Sequence, residues 1–167
     1  GDVLQIYSTA DAFAAVKGNG AVVTWGDAAF GGDSSAVREE LQGDVQQIYS
    51  TKYAFAAVKG DGSVVTWGHA NNGGDSSAVQ EELQGDVLQI YSTERAFAVV
   101  KSNGAVVTWG AADSGGDSSA VQEELQGDVL QIYSTYSAFA ALKGNGAVVT
   151  WGDAASGGDS SEVREEL

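Results

Sequence analysis

Several residue types are rare or missing in this chain of 167 residues. It has no cysteine, proline or methionine, one histidine and only eight cationic side chains. Without cysteine the chain has no disulfide and no thiolate metal site, and its composition indicates no particular compartment. No apolar run approaches the roughly 18 residues that cross a bilayer, so we expect no membrane span and no membrane partner.

Negative charge dominates the composition instead. The chain carries 23 acidic residues, a formal net charge of −15 and an isoelectric point near 4.1. Such a surface repels phosphate backbones, so we expect no nucleic-acid partner. The negative charge can instead keep the protein soluble, bind cations or attract basic proteins. Hydrophobic residues make up 43% of the chain, which is enough for a packed core.

The dominant feature of the sequence is an internal repeat of 42 residues. The motif GDV(L/Q)QIYST begins at Gly1, Gly43, Gly85 and Gly127. Repeats of this length are typical of propellers and solenoids, in which one unit cannot bury its apolar face alone. We therefore predict a single repeat domain over residues 1–167, with units 1–42, 43–84, 85–126 and 127–167.

Each unit has the pattern of three strands followed by a short helix. In the first unit, the β-branched and aromatic segments VLQIYST, AFAAVK and AVVTWG indicate strands. Gly18, Asn19 and Gly20 tolerate a positive φ and predict a tight hairpin between the second and third strands. The polar run Asp33-Ser34-Ser35 predicts the start of a short α-helix. The prediction is a mainly β fold of four β-β-β-short α units.

The motif QIYST…AFAAVKGNGAVVTWGDAAFGG resembles the regulator of chromosome condensation repeat and the short blades of a bacterial beta-lactamase-inhibitor propeller. This resemblance, which covers all four units, implies β-propeller blades in a family that commonly closes its rings with seven of them. Two features differ from the family. Alanine stands at positions 12, 54, 96 and 138, where the family has histidine, and GGDSS replaces its GQLG tail. The family's chromatin and nucleotide-exchange role is therefore not carried over to this chain.

The ends of the repeat raise the question of closure. Open arrays of repeats normally have terminal units with a polar outer face, yet the first and last units here carry the same apolar strands as the inner ones. The ends should therefore meet each other, meet another copy or continue into a longer array. A closed four-blade ring, part of a larger ring and an open array all fit this pattern.

The units differ from one another mainly at positions 10–11 and 27–30. If the strands run alternately up and down, both segments lie at the same end of each unit. They form a candidate binding rim, because rigid scaffolds commonly present binding residues on loops; drift in exposed loops is the other interpretation. The candidate rim residues are Phe30, Lys52, Tyr53, His69, Asn71, Asn72, Glu94, Arg95, Asp113 and Tyr136.

No pattern in the sequence points to catalysis, a metal or a cofactor. His69 is the only histidine, so a Ser-His-Asp site could form in one unit at most. Asp33, Ser34 and Ser35 are too few for a calcium loop, and the repeated tryptophans fit packing between blades better than a sugar-binding stripe. We therefore predict a non-catalytic tandem-repeat scaffold for protein-protein interaction or self-assembly. The alternatives are a filament subunit that stacks through its uncapped ends and a carbohydrate-binding propeller.

Overall fold

A computed structural model describes all of residues 1–167, and strands account for most of its regular structure. The twelve strands are β1 (Val3–Ser8), β2 (Ala12–Lys17), β3 (Val22–Gly26), β4 (Val45–Ser50), β5 (Ala54–Lys59), β6 (Val64–Gly68), β7 (Val87–Ser92), β8 (Ala96–Lys101), β9 (Val106–Gly110), β10 (Val129–Ser134), β11 (Ala138–Lys143) and β12 (Val148–Gly152).

The strands form four antiparallel sheets of three strands, and each sheet comes from one repeat. We number these sheets blade 1 to blade 4 along the chain. The register is the same in every blade: Phe13 pairs with Trp25 and Ser8 with Phe13, as do their equivalents. In the first strand the register shifts between Val3 and Gln5, which places a bulge at Leu4. The predicted mainly β fold with propeller-like blades is confirmed.

The helical part of each repeat differs from the prediction. The segments after the third strand are 3₁₀ turns: Ala28–Phe30, Ser35–Val37, Ala70–Asn72, Ser77–Leu83, Ala112–Ser114, Ser119–Val121, Ala154–Ser156 and Ser161–Val163. The longest, Ser77–Leu83, is interrupted at Val79, where φ is −122°. Asp33 accepts a hydrogen bond from the Ser35 amide, but Ser34 binds the hydroxyl of Thr24 rather than a helix amide. Aspartate and serine side chains that hydrogen-bond to nearby groups favour turns over helices. The segment that follows is too short to nucleate an α-helix.

The hydrophobic core lies between neighbouring blades. Side chains alternate across β2, so Ala12, Ala14 and Val16 face blade 2 while Phe13 points the other way. At the interface of blades 1 and 2, the side chains of β2 that face blade 2 pack together with Leu41 against Val45, Ile48, Phe55, Ala57 and Trp67. Equivalent clusters fill the other two interfaces. Each blade therefore has two apolar faces, as expected for a unit that is stable only beside a neighbour.

The four blades form an open arc. Neighbouring blades are joined by backbone hydrogen bonds at position 10, from Ala10 N to Lys52 O, Lys52 N to Glu94 O and Glu94 N to Tyr136 O. No equivalent bond returns from Tyr136 N to Ala10 O. The single chain therefore does not close into a four-blade ring, and one blade face is uncovered at each end.

Candidate interaction rim

The two variable segments of each blade meet at one end of the arc. Backbone hydrogen bonds tie position 27 to position 11 in all four blades: Asp27 N to Asp11 O, His69 N to Tyr53 O, Ala111 N to Arg95 O and Asp153 N to Ser137 O. We call the surface formed by positions 10–11 and 27–30 of the four blades the rim. The constant Asn-Gly or Asp-Gly hairpins lie at the other end of the second and third strands.

A threonine that the sequence analysis did not single out holds the rim together. Thr9 Oγ1 donates to Phe30 O at 3.0 Å and accepts from Ala12 N at 3.1 Å. Its equivalents Thr51, Thr93 and Thr135 donate to Asn72 O, Ser114 O and Ser156 O. A side chain thus bridges the two variable segments while contacting only backbone atoms. Its constancy beside variable positions was the signal that could have revealed it.

Aromatic side chains form a cluster where blades 1 and 2 meet. The ring of Phe30 lies 5.3 Å from that of Tyr53, and Tyr53 lies 6.2 Å from His69, measured between ring centroids. His69 Nδ1 is 3.1 Å from Asn72 Nδ2. The ammonium of Lys52 lies 5.8 Å from the Tyr53 centroid, within the range of a cation–π contact. Five predicted rim residues therefore form one contiguous patch.

Polar contacts continue along the rim from blade 2 to blade 4. Lys52 Nζ lies 3.1 Å from Glu94 Oε1, and the Glu94 side chain is only 11% exposed. The neighbouring Tyr136 hydroxyl and then Lys52 hold the pKa of the Glu94 carboxyl below its usual value. Glu94 in turn raises the pKa of the Lys52 ammonium and of the Tyr136 phenol. The carboxylate of Glu94 is thus the charged centre of this row.

The remaining rim residues lie beside a groove between blades 2 and 3. Arg95 Nη2 lies 2.9 Å from both carboxylate oxygens of Asp113, so one nitrogen is shared by the two oxygens in an exposed ion pair. Asn71 is exposed and makes no side-chain hydrogen bond. These three residues and Asn72 line an open groove of about 1330 Å³ that also contacts Trp109. All ten predicted rim residues lie at the same end of their blades, and Asn71 alone makes no side-chain hydrogen bond, ion pair or ring contact with another of them.

Other candidate sites of the sequence have structural roles. Trp67, Trp109 and Trp151 are each 4% exposed and donate from Nε1 to Gly31 O, Gly73 O and Gly115 O of the preceding blade. The tryptophans therefore do not form an exposed stripe. No group of three or more histidine, aspartate or glutamate side chains is placed to hold a metal ion, and no helix is long and apolar enough to span a membrane.

Comparisons with known proteins find relatives only at the level of structure. No protein-family model matches the sequence, and no curated protein does. Human WBSCR16 superposes with a TM-score of 0.57 at 22% sequence identity over 91% of this chain and 48% of its own. Yeast RCC1 (Prp20) superposes with a TM-score of 0.60 at 17% identity, over 90% and 43%.

The ectodomain of the Arabidopsis thaliana receptor kinase ACR4 gives a TM-score of 0.55 at 15% identity, over 90% of this chain and 52% of its own. The chain thus spans about half the length of each of these three solved structures. The similarity to proteins of the regulator of chromosome condensation type confirms the blade fold that the sequence motif indicated.

Proposed function

We propose that this chain is a non-catalytic scaffold that binds another protein through its rim. The observation that carries the proposal is the position of the variable residues: side chains from four blades form one surface, while the framework beneath them is constant. The rim offers an aromatic patch, two ion pairs and an open groove, a mixture typical of protein interfaces. In the rim, Lys52 and Arg95 are each paired with a carboxylate, so positive and negative side chains alternate there although the protein as a whole is acidic. Such a surface is suited to a partner protein that carries both charges and apolar side chains.

Two further points support a binding role over catalysis. The only histidine contacts Asn72 and Tyr53, and neither a serine nor a carboxylate is bonded to its ring. Nucleophilic catalysis needs a base that is bonded to its nucleophile. Among the structurally similar proteins, yeast Prp20 was solved bound to Kap60, and its binding to Gsp1p and histones has been described. Those partners belong to Prp20, but they illustrate what such blades can do.

Replacement of rim side chains tests the proposal. A displayed library of random peptides is sorted on the immobilised wild-type chain, and the enriched peptides are then measured on variants. We expect Lys52→Ala/Tyr53→Ala and Glu94→Ala/Arg95→Ala each to weaken binding by about tenfold or more, since central aromatic and arginine contacts contribute most to protein interfaces.

The matched control is Gln42→Ala/Gln84→Ala, which removes two exposed side chains beside the constant hairpins. Circular dichroism and thermal unfolding of each variant establish that the fold is kept. Peptides that bind the rim variants as tightly as the wild type would show that the rim is not the binding surface.

A further inference from the structure

The two ends of the arc expose complementary surfaces. The head face is the outer side of blade 1, formed by Val3, Ile6, Phe13, Val23 and Trp25. The tail face is the outer side of blade 4, formed by Ala140, Gly157 and Leu167. On the head face, Phe13 is 45% and Trp25 44% exposed, whereas the equivalent Phe55 and Trp67 of blade 2 are 0% and 4% exposed. On the tail face, Leu167 is 52% exposed, whereas Leu41 is 2% exposed.

The three interfaces inside the chain show what covers such faces. In each of them the phenylalanine of one blade lies over a glycine of the preceding blade: a Cβ placed on Gly31, Gly73 or Gly115 would come within 2.6 Å of Phe55, Phe97 or Phe139. A Cβ on Gly157 would meet nothing within 4 Å. Phe13 has no glycine to cover, and Gly157 has no phenylalanine above it.

Each end face also has hydrogen-bonding groups without a partner, and the donors and acceptors of the two faces are complementary. The indole nitrogens of blades 2 to 4 donate to the preceding glycine carbonyl at 3.0–3.1 Å, but Trp25 Nε1 and Gly157 O are both unpaired. Tyr136 N and Ala10 O are likewise the missing partners of the backbone bond at position 10. Each end of the chain therefore presents what the other end lacks.

We propose that the head face binds the tail face of a second copy of this chain, and that two copies close a ring of eight blades. The new contact repeats the internal interface residue for residue, with Trp25 donating to the partner's Gly157 O. Propellers close with about four to eight blades, and one chain supplies four. Because the four blades of one chain do not close by themselves, two copies give a ring of eight blades with no uncovered face. The ring has two equivalent head-to-tail contacts around a two-fold axis.

The variable positions do not oppose this contact. Position 10 pairs between neighbouring blades, as the Lys52–Glu94 ion pair shows, and the new contact brings Tyr136 beside Ala10 of the second copy. No like charges meet there. The formal charge of −15 on each chain does repel the two copies, so added salt should strengthen the association. The inference does not depend on a partner binding the rim.

Light scattering coupled to size-exclusion chromatography tests the proposal with two blocking variants. Val23→Arg places a long cation on the head face at a side chain that is 52% exposed. Ala140→Arg does the same on the tail face, at the position where the equivalent Ala98 is 0% exposed. Both substitutions reduce the net negative charge, so any loss of association reflects the blocked contact rather than added repulsion.

We expect the wild type to have twice the 17.1 kDa mass of one chain, and each blocking variant to have the mass of one chain. In an equimolar mixture of the two variants, one contact joins the free head face to the free tail face, but the other joins the two blocked faces. The mixture should therefore form the two-chain species more weakly than the wild type, whereas each variant alone has the mass of one chain. The control Leu88→Gln changes an exposed leucine to the residue that blade 2 already carries as Gln46, and should leave the two-chain mass unchanged.

Several results would overturn the proposal. They are a wild type of one-chain mass at all concentrations, a blocking variant that keeps the two-chain mass, and long fibres in negative-stain images. Acrylamide quenching gives a second readout in case a variant folds poorly. The wild-type fraction of quenchable tryptophan should fall as concentration rises, since Trp25 alone becomes covered; a constant fraction contradicts the ring.

Discussion

At the scale of single residues, the contact between phenylalanine, tryptophan and glycine is the basis of the fold. In the internal interfaces the phenylalanine and tryptophan rings lie 5.2–5.3 Å apart on one blade and cover a glycine of the preceding blade. That glycine has a φ near +100°, a conformation that other residues rarely adopt. Glycine is therefore required at this position both for its backbone conformation and for the space it leaves.

Replacement of one buried tryptophan should measure the strength of this contact. Trp109→Ala removes a buried ring and its bond to Gly73 O, and we expect a loss of about 3–5 kcal/mol in the free energy of unfolding. Trp25→Ala is the matched control at the uncovered face and should cost less than half as much, when urea unfolding is followed with the chains dilute. Equal losses would mean that blade faces contribute little to stability.

Much of this packing could be predicted from the sequence. The tryptophans were expected between blades because each ends an apolar strand beside a glycine, and alternation along AFAAVK places Phe13 on the face opposite Ala12 and Ala14. The bridging role of Thr9 could not be predicted in this way. It depends on the amide of residue 12 and the carbonyl of residue 30, which come together only when the blade is folded.

At the scale of elements, the turn after Gly-Gly is stabilised by aspartate rather than by a helix. Asp33, Asp75, Asp117 and Asp159 each accept a hydrogen bond from the amide two residues later at 2.9 Å. The serine side chain and amide lower the pKa of the Asp117 carboxyl. The sequence indicated a cap here, but the cap is followed by a short 3₁₀ turn in place of an α-helix, because so short a segment does not nucleate one despite its good helix formers.

The pH dependence of stability tests this role of Asp117. A carboxylate with a lowered pKa stabilises the folded state above its ordinary value of 3.8, and this stabilisation is lost as the pH falls through the folded pKa. Asp117→Ala should therefore lower the thermal midpoint at neutral pH and match the wild type in strong acid. Glu123→Ala, at an exposed carboxyl without a hydrogen-bond partner, is the control. A difference for Asp117→Ala that persists unchanged into strong acid would contradict the assignment.

At the scale of the whole molecule, stability is distributed unevenly along the arc. Blades 2 and 3 are covered on both faces, but blades 1 and 4 are covered on one face only. In repeat proteins the stability of a unit depends on its nearest neighbours. The sequence predicted that the ends would be apolar, yet identical repeats could not specify whether one chain closes on itself, because closure depends on the angle between blades.

Hydrogen exchange should reveal this difference between blades. In the Ala140→Arg chain, the amides of β2 and β11 should exchange at least about tenfold faster than those of β5 and β8, since opening an end blade breaks one interface rather than two. In the concentrated wild type, where the second copy covers both ends, the four blades should become alike. Uniform exchange in the Ala140→Arg chain would indicate that the four blades unfold as a single unit.

The near-identity of the interfaces also affects how such a gene can change. Duplication or loss of one whole repeat inserts or removes a blade whose two faces already match both neighbours. The number of blades can therefore change without creating a mismatched contact. Recombination between repeats, which would disrupt an ordinary core, leaves every interface of this protein intact.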